Sequence, residues 1–239
     1  MKKLMYLLCA VVVACLLSSP ALALTAIGPP AANLDPLQFA AGFGFSRSEM
    51  DVEFEILGMS LTSKDIELDA YMANLIWGLH KSWEFQIDLG LSNADYPDGS
   101  SSSGDGAFGF GVKTTWLDSG KFKLGSAVTL HFYESHTSGY DLGVLWQEED
   151  EWLDLQIAFG PSYDFGAVCL YGGPFLHFID GEAEVTFNGS VFSDDFEQPD
   201  IFGGFIGARF DLDENASIGI EYQLTGSADA LCASVLWKF

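Results

Sequence analysis

Basic residues are scarce in this chain. Ten Lys and Arg stand against 34 Asp and Glu in 239 residues, a formal net charge of −24. That balance disfavours nucleic-acid binding, because phosphates need clustered cations. Charge of either sign is also thin: 18% of residues are charged, against roughly 25% in ordinary soluble domains. Hydrophobic residues make up 49%. A chain this acidic and this apolar at once needs two separate surfaces. Long apolar runs are missing after the start. Beyond Leu24 none approaches 18 residues without polar interruption, so no helix is expected to cross a membrane, which takes roughly 20. Cysteine is sparse too. Cys9 and Cys15 fall in the first 23 residues, leaving Cys169 and Cys232 as the one pair an exported protein could oxidise.

What the start does contain is an export signal. "MKK" is a basic opening, "LMYLLCAVVVACLL" an apolar run, and Ala21-Leu22-Ala23 a small-x-small site. Cleavage after Ala23 is expected. The run from Leu4 to Leu17 is too short to span hydrocarbon. A rival reading is a lipoprotein box ending at Cys15, against which the residues after Cys15 stay apolar and the small-x-small site follows. The expected organisation is a signal peptide at 1–23, a short periplasmic lead-in at 24–36 ("LTAIGPPAANLDP") and one domain over 37–239.

Period-two alternation dominates that domain, the pattern of strands with two unlike faces. "WEFQIDLGL" sets Trp83, Phe85, Ile87, Leu89 and Leu91 against Glu84, Gln86, Asp88 and Gly90. "SIGIEYQL" sets Ile218, Ile220, Tyr222 and Leu224 against Ser217, Gly219, Glu221 and Gln223. Ten strands are predicted, at about 37–48, 66–79, 83–94, 106–116, 121–133, 152–163, 167–180, 200–212, 216–226 and 228–239, with boundaries loose by a few residues. Tight turns such as "LDSGK" and "YDFGA" alternate with longer links at 49–65, 95–105, 134–151 and 181–199. Two of these links look like hairpins that prolong their strands: "EVTFNGSVF", with the turn-forming pair Asn188-Gly189, and "DVEFEILGMSLTSKDIELD", which alternates on both sides of Leu57-Gly58. "YDLGVLW" inside 134–151 could add a strand, so eight or twelve strands stay open. The fold class is therefore all-β, a closed antiparallel up-and-down barrel of about ten strands. The strand lengths match the roughly 9–11 residues that cross a bilayer at a tilt.

Closure also explains the carboxy terminus. The chain stops on "LCASVLWKF", in mid-alternation and on an aromatic. In hydrocarbon each unpaired backbone group costs several kcal/mol. The last strand must then pair with the first and cannot fray. Trp83, Trp116, Phe122, Tyr163 and Phe210, with Trp237 and Phe239, fall near the short-turn end on the apolar face, as an aromatic girdle at a membrane interface would.

The other face is small and polar. Glu84, Asp88, Lys113, Arg209 and Glu221 are expected to form an interior ion network, Arg209 one rung from Glu221 and Lys113 beside Glu84, Gln86 and Asp88. The long links hold acidic runs, "EMDVEFE", "QEEDEWLD", "DGEAE" and "SDDFEQPD". Such runs are usually solvated loops, and the sharper reading is divalent-cation binding or cation-bridged contact with anionic glycolipid.

Signal peptide, alternating strands, acidic long links and a terminal "SVLWKF" together resemble the Gram-negative outer membrane β-barrel proteins, and the small OmpA-like or OmpX-like barrels in particular, though this chain is longer. The resemblance implies that Leu231, Ala233, Val235, Trp237 and Phe239 are a recognition signal for the outer-membrane assembly machinery. It also implies an integral outer-membrane location, contact with membrane lipid and lipopolysaccharide, and a monomer.

The residues offer little other chemistry. "GSSSSGDG" at 99–106 lacks the Lys-Ser/Thr of a phosphate loop and precedes a strand. "DLDEN" at 211–215 would need Gly in place of Ala216 and Glu in place of Tyr222 to be a calcium loop, and reads as a turn. His131 and His177 should point inward near the outer rim, by Asp154 and Tyr133, without a serine-centred motif. Cys169 and Cys232 sit on non-neighbouring strands at different depths, so both thiols are expected free. No catalytic residue, metal ligand or cofactor is predicted. The functional expectation is a barrel with a structural, narrow-pore or surface-contact role and a lumen filled by polar side chains. The alternatives are a soluble lipocalin-like carrier, which would invert the two faces, and a rim-sited hydrolase.

Overall fold

The computed structural model describes residues 24–56, 59–95, 101–102, 104–141, 144–187 and 190–239. Those residues form strands β1 (Phe39–Ile56), β2 (Met59–His80), β3 (Trp83–Asp95), β4 (Asp105–Asp118), β5 (Phe122–Asp141), β6 (Val144–Asp164), β7 (Val168–Phe187), β8 (Ser190–Glu197), β9 (Phe202–Asp211), β10 (Ala216–Thr225) and β11 (Ala228–Lys238). Each wall strand pairs antiparallel with the next, and β11 pairs with β1 from Ala40↔Lys238 to Met50↔Ala228. The sheet is therefore closed. Phe239 is part of the closure: its N–H donates to Phe39 O at 2.9 Å, and the Phe39 N–H donates back to Phe239 O at 3.4 Å.

Ten strands make the wall, because β8 and β9 share one place in it. The lower half of β7 pairs with β9 and its upper half with β8, so the two succeed each other along the same edge. The break falls at 198–201, where Pro199 has no N–H to give a ladder. The Gln198 amide bridges it by donating to Asp200 O at 2.9 Å and Thr225 Oγ1 at 3.1 Å. Above the short β10–β11 hairpin, β8 meets β1 directly at Glu53↔Glu197 and Phe54↔Phe196. Beyond the ends of β3, β4, β10 and β11 the sheet thus continues upward as a collar of β2, β1, β8, β7, β6 and β5.

The links at 49–65, 134–151 and 181–199 are hairpin extensions of wall strands. The stretch 134–151 pairs with itself from Glu134↔Glu151 to Asp141↔Val144 and adds no strand. Two expected turns, at Leu57-Gly58 and Asn188-Gly189, lie outside the described residues, as does the signal peptide.

Facing follows the alternation. On β10, Ser217, Gly219, Glu221 and Gln223 are buried, Ile218 and Ile220 half-buried, and Tyr222 and Leu224 exposed. Along the wall many large apolar side chains stand exposed, among them Leu89, Phe110, Ile206 and Leu224, while buried positions include Glu84, Asp88, His131, Asp154, Gln156, His177 and Glu221. This overturns the lipocalin alternative, which needs an apolar lumen and a polar outside. Near the short-turn end Trp83, Trp116 and Tyr163 stand exposed, with Phe122 and Phe210 half-buried. Around them, Phe39 stacks on Trp77 at 5.8 Å and on Phe239 at 6.5 Å, and Tyr163 meets Phe165 at 4.7 Å. Leu231 and Ala233 are half-buried on that outer face, and Val235, Trp237 and Phe239 are exposed on it.

Candidate functional site

Residues 24–36 do not lie outside the barrel as a lead-in. Residues 24–34 run through its bore and Asp35 and Pro36 stand exposed at its base, which corrects the expectation for this stretch. The chain enters beside Gly78, where Asp35 O takes the space a Cβ would fill, and Leu37 adopts a left-handed φ of 68° to turn into the wall. It then climbs past Gly125, whose missing side chain leaves room for Ala31. Leu24 is 1% exposed in a pocket with Met50, Trp152 and Ile179.

An extended segment inside a closed sheet has no ladder to join, so its backbone groups need side-chain partners. The wall supplies them. Glu221 on β10 accepts two consecutive amides, Ile27 N at 2.9 Å and Gly28 N at 2.8 Å. Glu84 on β3 accepts two more, from Asn33 and Leu34. Thr115 Oγ1 accepts Ala32 N at 3.0 Å, and Lys123 Nζ donates to Ala32 O at 3.1 Å. Higher up, Gln223 Nε2 donates to Thr25 O at 2.8 Å and Cys232 Sγ to Leu24 O at 3.2 Å. The Gln156 amide, with its nitrogen turned toward Thr25 O, brackets the same residue at 3.3 and 3.2 Å. Ser48 Oγ accepts Leu24 N at 2.5 Å. Pro29 and Pro30 have no N–H to satisfy. Gly28 has a φ of +66°, and a Cβ there would also sit 3.1 Å from Lys113 Nζ.

The five residues expected to form an ion network do share this bore, but their pairing differs. Glu84 faces Lys113 in register, as expected, yet its carboxylate is taken by the inner segment. Arg209 pairs with Asp211 on its own strand, Nε to Oδ1 at 3.0 Å, instead of with Glu221. Geometry decides this: Asp211 lies two residues along the same face, whereas Glu221 is turned to the main chain of Ile27 and Gly28. Asp88 accepts from Asn74 Nδ2 at 2.6 Å and Gln86 Nε2 at 2.7 Å, and meets His131 Nε2 at 3.1 Å. A cavity of about 110 Å³ remains beside the segment, lined by Asn74, Asp88, Lys113, Arg209, Ser217 and Ser234 among others.

His131 and His177 point inward as expected. His177 Nε2 stands 3.0 Å from Asp154 Oδ1, but the angle is poor, and both ring nitrogens lack a hydrogen bond among the described residues. Thr25 Oγ1, His131 and Asp88 have the connectivity of a nucleophile–base–acid relay, with Oγ1 3.3 Å from Nδ1. All three are buried. Both cysteines are free, in line with the strand map. Asp213 accepts Asn215 N and Ala216 N, each at 2.8 Å, so 211–215 is a turn.

On the outside, above the apolar belt, carboxylates stand in one cross-strand row: Glu134↔Glu151, Glu151↔Glu182 and Glu182↔Asp195. Among the described residues no group of three or more His, Cys, Asp or Glu is placed to hold a metal ion. One rung higher, His136 sits between Asp105 Oδ1 at 3.1 Å and Glu149 Oε1 at 3.2 Å. The hydrogen bond to Asp105 raises its pKa above the ordinary 6.5.

A closed wall with apolar side chains outside and a packed polar bore defines a transmembrane β-barrel, here an integral protein of the Gram-negative outer membrane. The chain belongs to the family described as outer membrane protein beta-barrel domain, whose model matches residues 80–235. No curated protein sequence matches it. Among solved structures it is similar to the outer membrane protease OmpT of Escherichia coli, with 9% identity over 87% of this chain and 99% of that one, at a TM-score of 0.54. The translocator domain of autotransporter NalP from Neisseria meningitidis shows 12% identity over 87% and 90%, at 0.44. The attachment invasion locus protein Ail of Yersinia pestis shows 11% identity over 85% and 99%, at 0.36. At such identities the likeness shows the fold alone.

Proposed function

We propose that this protein is an outer-membrane barrel closed at rest, with a structural and surface-contact role. One observation carries the reading: the bore is occupied by residues 24–34, fixed to Glu84 and Glu221. On this reading the collar is extracellular and presents its acidic row to the lipopolysaccharide layer. Like charges directly opposite destabilise a sheet, so the row favours partners that bring cations, and divalent ions shared with anionic headgroups fit it. The carboxy-terminal residues Leu231 to Phe239 serve the assembly machinery. In planar bilayers the purified protein is expected to give no steady conductance. A stable open level would overturn the reading.

The barrel is also read as non-enzymatic, although the protease OmpT shares its fold. The Thr25–His131–Asp88 relay is sealed inside the bore, and the Thr25 carbonyl is engaged by Gln223. A fluorophosphonate that labels Thr25 in the folded protein would show the relay to be live.

A further inference from the structure

The bore grips residues 24–35 as a receptor grips a peptide. Apart from the Thr25 hydroxyl against His131, the hydrogen bonds that tie the segment to wall side chains run through its main chain. Two carboxylates on strands distant in sequence each collect two adjacent amides, as anion-binding backbone concavities do. Gly28, in the left-handed region, turns the Ile27 and Gly28 amides to the same side. Pro29-Pro30 stiffens the segment before it binds. Asp35 is its one charged side chain. The covalent connection to the wall passes through Asp35, Pro36 and Leu37, all exposed at the base of the barrel. A cut there would leave the contacts of residues 24–34 with the bore in place.

We propose that the bore is a binding site for an extended peptide without charged side chains along its buried length, read through its main chain, and that residues 24–35, with Asp35 exposed at the mouth, are its resident, exchangeable ligand. The covalent link then supplies only a high local concentration. This inference rests on the reading of the barrel as closed by that segment, and adds that the closure is a binding equilibrium.

The test places a site for a specific endopeptidase between Asp35 and Pro36 of the whole protein, folded in detergent and then nicked. The fragment is expected to stay with the barrel through gel filtration. It should leave in moderate urea while the barrel keeps its heat-modifiable mobility in SDS gels. A fluorescent synthetic peptide of residues 24–35 should then rebind saturably. The same peptide N-methylated at Ile27 and Leu34 should bind at least about ten-fold more weakly, since one amide of each captured pair is gone. A fragment lost at the first wash, with no rebinding to a still heat-modifiable barrel, overturns the proposal. So does equal binding of the N-methylated peptide, which would leave packing alone to explain the fit. The closed-barrel reading fails separately, by steady conductance of the un-nicked protein. Silence of the un-nicked protein, together with no rebinding to the nicked and emptied barrel, removes only the exchange.

Discussion

Strand β10 and the segment 24–36 lie against each other in one barrel and solve the same problem in opposite ways. β10 satisfies its backbone through ladders to β9 and β11, which leaves its side chains free to divide between two environments. Its isoleucines face outward and Glu221 faces inward. The inner segment has no ladder, so its backbone depends on wall side chains, and its apolar residues Leu24, Ile27, Ala31 and Leu34 are buried among them. The difference teaches what the bore's charges are for. Glu84 and Glu221 look like half of a salt-bridge network when the wall is considered alone. With the segment in place they are acceptors for orphan amides, a charge-assisted pairing stronger than a neutral hydrogen bond.

The largest expected effect breaks the comparison on the β10 side. Ile220→Arg places a cation on the lipid face and should destabilise the barrel by about 2–4 kcal/mol, measured by urea titration of folding into vesicles. Unchanged folding would mean that the two faces of β10 are misassigned. The next strikes the segment and spares the wall. Glu221→Gln keeps one acceptor for two donors and should loosen the segment by roughly 1–3 kcal/mol. Amide hydrogen exchange reads this locally: Ile27 and Gly28 should lose protection while Ile218 and Ile220 keep theirs. Equal loss on both would make Glu221 a wall residue after all.

Smaller again is Gly28→Ala. A left-handed φ costs an alanine about 1–2 kcal/mol, and its Cβ would press on Lys113 Nζ at 3.1 Å. The same exchange experiment should show residues 24–28 opening more often than residues 31–34, which remain fixed to Glu84. Uniform opening would mean that the two anchors act as one unit.

The wall was legible in the sequence for a physical reason. A strand between lipid and a polar bore must alternate, so "SIGIEYQL" and "WEFQIDLGL" declare both their conformation and their faces. The terminal "SVLWKF" declared closure for the same reason. The expected strand ends fall short, at 48 instead of Ile56 on β1, because the bilayer sets the length expected of a wall strand, while "DVEFEI" goes on alternating into a hairpin that continues β1 and β2. The shared place of β8 and β9 was hidden, since only Pro199 marks the break. The inner segment had almost no local signature. Its partners are single side chains such as Glu221, 194 positions away from Ile27. One signal was available: "LTAIGPPAANL" carries no charge, which suits a buried segment better than a solvent-exposed linker.

The last contrast sets the collar against the membrane-embedded wall, and pH separates them. His136 hydrogen-bonds Asp105 across the β4–β5 edge, and that bond, with the nearby Glu149, raises its pKa in the folded state. The folded protein therefore holds the proton more tightly than the unfolded chain. The stabilisation is complete below about pH 6.5, the ordinary histidine value, and fades as pH rises through the higher folded value. This effect should be weaker than those of the three substitutions, because the His136 side chain is 53% exposed and solvent screens the pair. Exchange of the amides of 134–136 should quicken on going from acid to alkaline pH beyond the intrinsic base catalysis, and His136→Gln should remove that excess while leaving Leu130 unaffected. A pH response of equal size at Leu130 would place its source in the barrel wall and not in the collar.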